Sequence, residues 1–236
     1  GQTEAGRSLG FNYAYTMWYI VLPQTFKNIL PALANEFIVL LKETAIAGYV
    51  GVTDLPLCPQ GVDELYDKIS RYDYPSVQKV YTSPLKRCKQ TADILHPNRY
   101  TAELPQLIEM NFGTFENKTA QELMETEEYK KFIKGGLDNP PPQGESMRDV
   151  VNRSYEALNI IISDMMYEGL TNCAVVTHGG IIMNMLSCFG VPKLSPMEYA
   201  CDFGEGFEIL ISASMWQRSN AFEILGRFPY KGEDVE

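Results

Sequence analysis

The spacing of apolar and polar positions divides the chain near residue 50. Residues 10–22 are rich in aromatic side chains (Phe11, Tyr13, Tyr15, Trp18, Tyr19) and end at Pro23. Residues 29–51 are mostly apolar but carry Asn35, Glu36, Lys42 and Glu43. A clean membrane span needs about 20 apolar residues with few charges. This stretch therefore reads as a buried amphipathic helix before it reads as a span, and membrane association through 29–51 stays open.

From Val52 the pattern alternates between helix and strand. VTDLPLCPQG is a loop, and residues 62–71 place apolar side chains at 62, 65, 66 and 69, one face of a helix. Residues 78–82 form a strand. Ser83-Pro84 then opens a helix, with Ser as cap and Pro in the first turn, and an apolar face of Leu85, Cys88, Ala92 and Leu95. Residues 104–109 read as a short extended stretch leading into an Asn111-Phe112-Gly113 turn. Thr119 and Glu122 form a capping box, and 137–144, with three consecutive prolines, is a loop. Residues 146–168 are a long helix with Val150, Val151, Tyr155, Leu158, Ile161, Ile162 and Met165 on its apolar side. Near the C-terminus, 207–213 and 221–228 read as two strands that pair as a hairpin around 217–220. The alternation predicts an α/β fold, a three-layer sandwich with a mostly parallel sheet.

The most informative stretch is 172–190, NCAVVTHGGIIMNMLSCFG. Cys173 to Thr177 is a β-branched apolar run, the mark of a buried strand. His178-Gly179-Gly180 breaks it, and an apolar helix follows, ended by Gly190 and Pro192. A strand feeding a helix through glycines leaves backbone N–H groups and the positive end of a helix dipole at the strand's carboxyl end, a site for an anion. His178 stands in it, although a histidine there can equally well just cap the turn. In 79–95, Lys86, Arg87 and Lys89 occupy the first turns of a helix, where the macrodipole disfavours cations. Arg87 suits a phosphate through its planar fork but can equally well belong to a solvated face, as Lys86 and Lys89 are read to do. Glu109 ends an apolar run beside Phe112 and Phe115. Such a carboxyl can have a raised pKa and act as a general acid, or it can be a surface glutamate. Ser146 is read as the N-cap of its helix, with Arg153 two turns in.

Composition narrows the function classes. A formal charge of −10 argues against general nucleic-acid binding, which needs a broad basic surface. An anionic substrate remains compatible if positive charge is concentrated locally. The five scattered cysteines, with no CxxC pair, favour reduced thiols in a cytoplasmic compartment over disulfides or zinc. Two histidines leave no His-rich metal site, and no cofactor is expected. GQTEAGRSLG has neither the basic region nor the apolar core of a signal peptide, and without an initiator Met it points to a fragment.

In order, SPLKRCKQTADIL, LIEMNFGTFEN, GESMRDVVNR and VVTHGG resemble the histidine phosphatase superfamily, the group of cofactor-dependent phosphoglycerate mutases and α-ribazole phosphatases. YVGVTDLPLCPQG is similar to the family's G-x-T-D-x-P-L-T-x-x-G segment, so the resemblance runs from about 49 to 230. It implies that Arg87 holds phosphoryl oxygens, that Glu109 protonates the leaving alcohol, and that His178 hydrogen-bonds the transferring phosphoryl group beside the Gly179 N–H. The family's chemistry is a metal-free, two-step transfer through a phosphohistidine on a small phosphorylated metabolite. The modest size and lack of long insertions lean toward a phosphatase over a mutase. The departure is as informative as the match. The family's nucleophile lies in an Arg-His-Gly motif at the end of its first strand, and no such motif exists in this chain. The only other histidine, His96, precedes Pro97 and does not match.

The upstream residues resemble something else. EAGRSLGFNYAYTMWYIVLP fits the E-A-A-x3-G-x9-I-x-L-P pattern of bacterial ABC-transporter permeases, held by Glu4, Ala5, Gly10, Ile20, Leu22 and Pro23, with Gly6 in place of the second Ala. The continuation to residue 51 resembles polar amino-acid permeases. That resemblance implies docking on an ABC ATPase subunit through residues 4–23. The expected organisation is thus a helical permease-like segment, 1–51, followed by a phosphoglycerate mutase-like domain, 52–236, without its first strand. Phosphomonoester turnover is expected to be absent or residual.

Overall fold

The computed structural model describes residues 51–118 and 120–231. These fall into two compact units, 52–110 with 150–231, and 51 with 111–149. In chain order the elements are α1 (Pro59–Arg71), β1 (Tyr72–Asp73), β2 (Lys79–Thr82), α2 (Lys86–Leu95) and β3 (Thr101–Glu103), then a 3-10 turn at Pro105–Leu107. Next come α3 (Ala120–Met124), α4 (Glu127–Lys134) and α5 (Met147–Glu168). The chain closes with β4 (Cys173–Val176), α6 (Gly179–Phe189), β5 (Gly190–Val191), β6 (Gly206–Leu210), α7 (Ala213–Ser219), β7 (Phe222–Phe228) and β8 (Tyr230–Lys231).

The larger unit is built on β2. Its four residues are all buried because it has parallel partners on both sides, β3 at Val80↔Thr101 and β4 at Val80↔Ala174. Val77, Val80 and Ala92 form a core against which Ala174 and Val176 pack. Each fully buried aliphatic side chain of this kind is worth about 1.5–3 kcal/mol. At the start of β2, the buried Lys79 Nζ donates to Asp164 (2.5 Å) and Glu168 (2.8 Å) of α5, and the Tyr81 hydroxyl donates to Asp164 at 2.6 Å.

A second sheet has the order β5-β7-β6, with β5 parallel and β6 antiparallel to β7. Among the described residues no ladder joins it to the β2 sheet. Parallel pairing thus joins β3, β2 and β4 in one sheet and β5 with β7 in the other, and among the described residues β4 and β6 each have a ladder on one side only. All four residues of β4 are only half-buried, in contrast to β2. The hairpin reading of the C-terminus holds for the pairing of β6 with β7, but α7 lies between them. Ser212 caps α7 by accepting from the Met215 N–H (3.2 Å), and Asn220, left-handed at φ 48°, closes it. Trp216 of α7 stacks on Tyr155 at 5.6 Å and meets Phe189 edge-on.

Three local readings need correction. On α1 only Leu65 is buried; Tyr66 and Ile69 are 58% and 38% exposed. Ser83 does not cap α2, which starts at Lys86. Its first N–H donates to Asp54 Oδ1 (2.6 Å), and the Ser83 hydroxyl is committed elsewhere. Residues 104–109 contain a 3-10 turn, and the strand lies just before them. Thr119 lies outside the described residues.

In the smaller unit Phe115 packs edge-on against Tyr129 and Phe132. Gly113 adopts φ +54°, and a Cβ there would sit 2.1 Å from the Pro142 carbonyl oxygen, so the Asn111–Gly113 turn requires glycine. Ser146 caps α5 as expected, accepting from the Asp149 N–H (3.1 Å) while the Asp149 carboxylate accepts from the Ser146 N–H (3.0 Å).

Candidate functional site

Thr82 and Val176 lie side by side at the carboxyl ends of β2 and β4, so the segments that follow them emerge at one edge of the sheet. This is where α/β folds place ligands. His178 takes the N-cap position of α6, with extended backbone (φ −108°, ψ 157°), but its side chain makes no capping bond. The reading of His178 as a simple turn cap therefore fails. The imidazole is 6% exposed and turned to the start of α2. Nε2 lies 2.8 Å from Ser83 Oγ, Nδ1 lies 3.3 Å from Arg87 Nη2, and the Cys88 thiol is 3.5 Å from Nε2.

Arg87 stands in the first turn of α2 and is held from its other side by the Thr53 carbonyl, which accepts from Nη1 at 2.9 Å. Its lysine neighbours pair outward, Lys86 with Asp54 and Lys89 with Glu103. The cationic turn thus splits into two surface ion pairs and one inward guanidinium. The backbone bond from Lys86, first, holds the Asp54 carboxyl below the usual carboxylate range.

Glu109 is 7% exposed. Its Oε1 accepts from the Met110 N–H at 2.9 Å, and the Gly180 N–H also donates to it. A Cβ on Gly180 would lie 2.8 Å from Oε1, so the second glycine of the pair admits the carboxylate to the start of α6. Gly179 is exposed, and a Cβ there would meet nothing within 4 Å. The glycine N–H engaged with a site side chain is thus that of Gly180. Gly179, as the first residue of α6, presents one of the N–H groups that a helix start leaves without an intrahelical partner.

Two further residues, whose targets pattern reading did not disclose, position this group. Arg153 of α5 donates to the Gln106 and Ile108 carbonyls (2.8 and 2.6 Å), and Thr177 donates to the Leu107 carbonyl (2.7 Å). Together they clamp the segment that carries Glu109. Arg153 was visible in the sequence as an arginine inside the GESMRDVVNR stretch, but nothing in its spacing disclosed backbone carbonyls as its targets. Ser83 was visible too, although as a cap.

Electrostatics follow from burial. Burial, with Arg87 and Arg153 adding to it, holds His178 down to about 3, so the imidazole is neutral near pH 7. Burial pushes the Glu109 carboxyl above its ordinary value, while the Met110 N–H, Arg87, Arg153 and the Gly180 N–H pull it back. Burial pushes the Cys88 thiol up to about 12, leaving no thiolate there. The group offers a guanidinium, an imidazole, a helix N-terminus and a carboxyl inclined to hold a proton, the means of receiving a phosphate and protonating a leaving oxygen. A second imidazole is not part of it. His96 follows the last residue of α2, and at about 1.5 Å per residue it lies roughly 13 Å along the axis from Arg87. Among the described residues no group of three or more His, Cys, Asp or Glu is arranged to hold a metal ion.

The fold and this edge-of-sheet site define a phosphoglycerate mutase-like α/β domain. Residues 42–201, more than half of the chain, match the histidine phosphatase superfamily (branch 1), and the chain belongs to that family. A probable phosphoglycerate mutase GpmB from Serratia proteamaculans is 31% identical over 133 residues, 55% of this chain and 60% of that protein. Among solved structures, the α-ribazole phosphatase from Shigella flexneri aligns with a TM-score of 0.62 at 23% identity, covering 80% of this chain and 91% of its own. A phosphoserine phosphatase mutant from Entamoeba histolytica, in complex with phosphoserine, gives 0.58 at 21% identity, covering 78% and 90%.

Residues 1–60 match a second family, the binding-protein-dependent transport system inner membrane component. The arginine ABC transporter permease protein ArtQ of Haemophilus influenzae is 46% identical over 55 residues, 23% of this chain. The chain spans about a quarter of the length of that permease. The two family matches overlap at 42–60. Glu4, Ala5 and Gly10, with the rest of 1–50, lie outside the described residues. Among the described residues no helix is long and apolar enough to cross a membrane.

Proposed function

We propose that this domain binds the phosphoryl group of a small phosphorylated metabolite between Arg87, His178 and the start of α6, with Glu109 as proton donor, and that its phosphomonoester turnover is absent or residual. The observation that carries this reading is the contact of Arg87 with His178 in a chain whose only other histidine stands at the far end of α2. Phosphohistidine chemistry needs an imidazole free to attack phosphorus in line with the leaving oxygen. His178 has one ring nitrogen against Ser83 and the other against Arg87, so it is engaged on both sides. Cys88, a neutral thiol, is no substitute.

Two measurements on the full chain test the proposal. Millimolar phosphate or vanadate should raise the melting temperature, because a ligand that binds only the folded state stabilises it, and Arg87→Ala should abolish the shift. Hydrolysis of p-nitrophenyl phosphate should stay near background. Robust turnover that disappears in His178→Ala would show that another group supplies the nucleophile and would overturn the second half of the proposal.

The match of residues 1–60 to transport components favours one further reading, that residues 4–23 dock on an ABC ATPase subunit. Co-purification with such a subunit, lost on changing Glu4 to Lys, supports it. A chain that binds no ATPase subunit speaks against it.

A further inference from the structure

We infer that Ser83 is a positioning residue for His178: its hydroxyl oxygen accepts the Nε2 proton and, with Arg87 on the opposite side, fixes the imidazole as the Nε2–H tautomer. The inference rests on the phosphate-site reading only for its purpose, since the geometry stands without it. An arginine guanidinium carries donors and no acceptor and keeps its proton in proteins. At 3.3 Å from Arg87 Nη2, His178 Nδ1 must present its lone pair. A neutral imidazole then carries its single proton on Nε2, which lies 2.8 Å from Ser83 Oγ.

The backbone holds this acceptor in place. The Ser83 N–H donates to the Val176 carbonyl (3.0 Å), tying the residue after β2 to the end of β4, and Ser83 is fully buried. The Leu85 N–H also approaches Oγ, at 3.4 Å. With its oxygen receiving the imidazole proton, the hydroxyl keeps its own proton as a donor, and the Cys88 thiol packs 3.5 Å from the same Nε2. This chain explains why Ser83 does not cap α2 and why Asp54 does. It also excludes a serine-nucleophile arrangement. A histidine that activates a serine must present a lone pair to the hydroxyl, and here the nitrogen facing Ser83 is the protonated one.

The test is long-range ¹H–¹⁵N spectroscopy of the histidine rings in the labelled full chain at pH 7. There are two rings to assign, and His96→Gln separates them. The expected wild-type pattern for His178 is a protonated Nε2, an unprotonated Nδ1 and an observable Hε2 signal. In Ser83→Ala the Hε2 signal should be lost and the two nitrogen resonances should move toward each other as the ring averages. Ser83→Thr, which keeps the hydroxyl, should retain the wild-type pattern. A protonated Nδ1 in the wild type overturns the inference even if Ser83→Ala does not fold. An unchanged Hε2 signal in Ser83→Ala overturns it as well. Because the readout needs no ligand, a wild-type tautomer as expected together with no phosphate-induced stabilisation would sink the proposed function and leave the role of Ser83 standing.

Discussion

Lowering the pH from 7 to 5 should remove about 2 kcal/mol of folding stability at one residue, His178. In the unfolded chain this imidazole titrates near its ordinary value of 6.5, whereas in the fold burial and the charges of Arg87 and Arg153 hold it down to about 3. Its folded pKa is depressed, so between these values the unfolded state binds the extra proton. The stability present above pH 6.5 is therefore lost as pH falls toward 3. One unit corresponds to about 1.4 kcal/mol, which gives about 2 kcal/mol at pH 5 and at most about 5 kcal/mol at pH 3. Glu109 acts with the opposite sign. Its folded pKa is raised, so protonation of the folded state partly offsets the loss. The contribution of His178 is isolated by comparison with His178→Gln, whose amide can still donate to Ser83 but does not titrate. Urea unfolding followed by far-ultraviolet circular dichroism, at pH 7 and pH 5, gives the four free energies required. The wild type should lose about 2 kcal/mol more than the variant. Equal losses, or a larger loss in the variant, would refute the burial argument.

Arg153→Met should destabilise the fold by about 2–4 kcal/mol, because two carbonyls that accept from a charged donor lose it. That corresponds to a fall of roughly 5–10 °C in melting temperature by scanning calorimetry, with a weakened response to phosphate as the Glu109 segment loosens. Lys79→Met should cost about 1–2 kcal/mol by urea unfolding, less than the 3–5 kcal/mol of a fully buried pair, because Asp164 and Glu168 are 31% and 41% exposed. Among the described residues β4 and β6 carry a ladder on one side only, which predicts concentration-dependent association. Light scattering should show mass rising between micromolar and hundred-micromolar protein, and a monodisperse monomer throughout would count against exposed edges.

Much of this architecture was legible because it is written in local periodicity. The β-branched run of β4, the glycine break after it and the apolar helix that follows were all readable from residues 172–190. So was the cationic turn of α2, where a broken dipole rule marked Arg87. What pattern reading missed depends on contacts distant in sequence. Ser83 has the composition of a helix cap, and only the approach of His178, 95 positions away, diverts it. Asp54, which replaces it, lies 32 positions before the N–H it caps. The grip of Arg153 on the Gln106 and Ile108 carbonyls is of the same kind. By contrast, α7 was missed despite its local signals, a Ser cap and a left-handed Asn, because the flanking strands suggested a direct hairpin. The burial of Glu109 was not readable either, since a glutamate at the end of an apolar run is equally compatible with the surface.

The two three-stranded sheets also set an order of assembly. The ladder of β6 with β7 joins neighbours, Gly206 facing Phe228 at its widest, so little chain entropy opposes it. The ladder of β2 with β4 joins Lys79 to Cys173, across about 90 residues, and contacts of such separation form slowly. During synthesis, of its two partners among the described residues, β2 has β3 alone until the ribosome has delivered residue 176. Through that interval the most deeply buried strand lacks its β4 partner, and the residues of the site remain on separate pieces of chain.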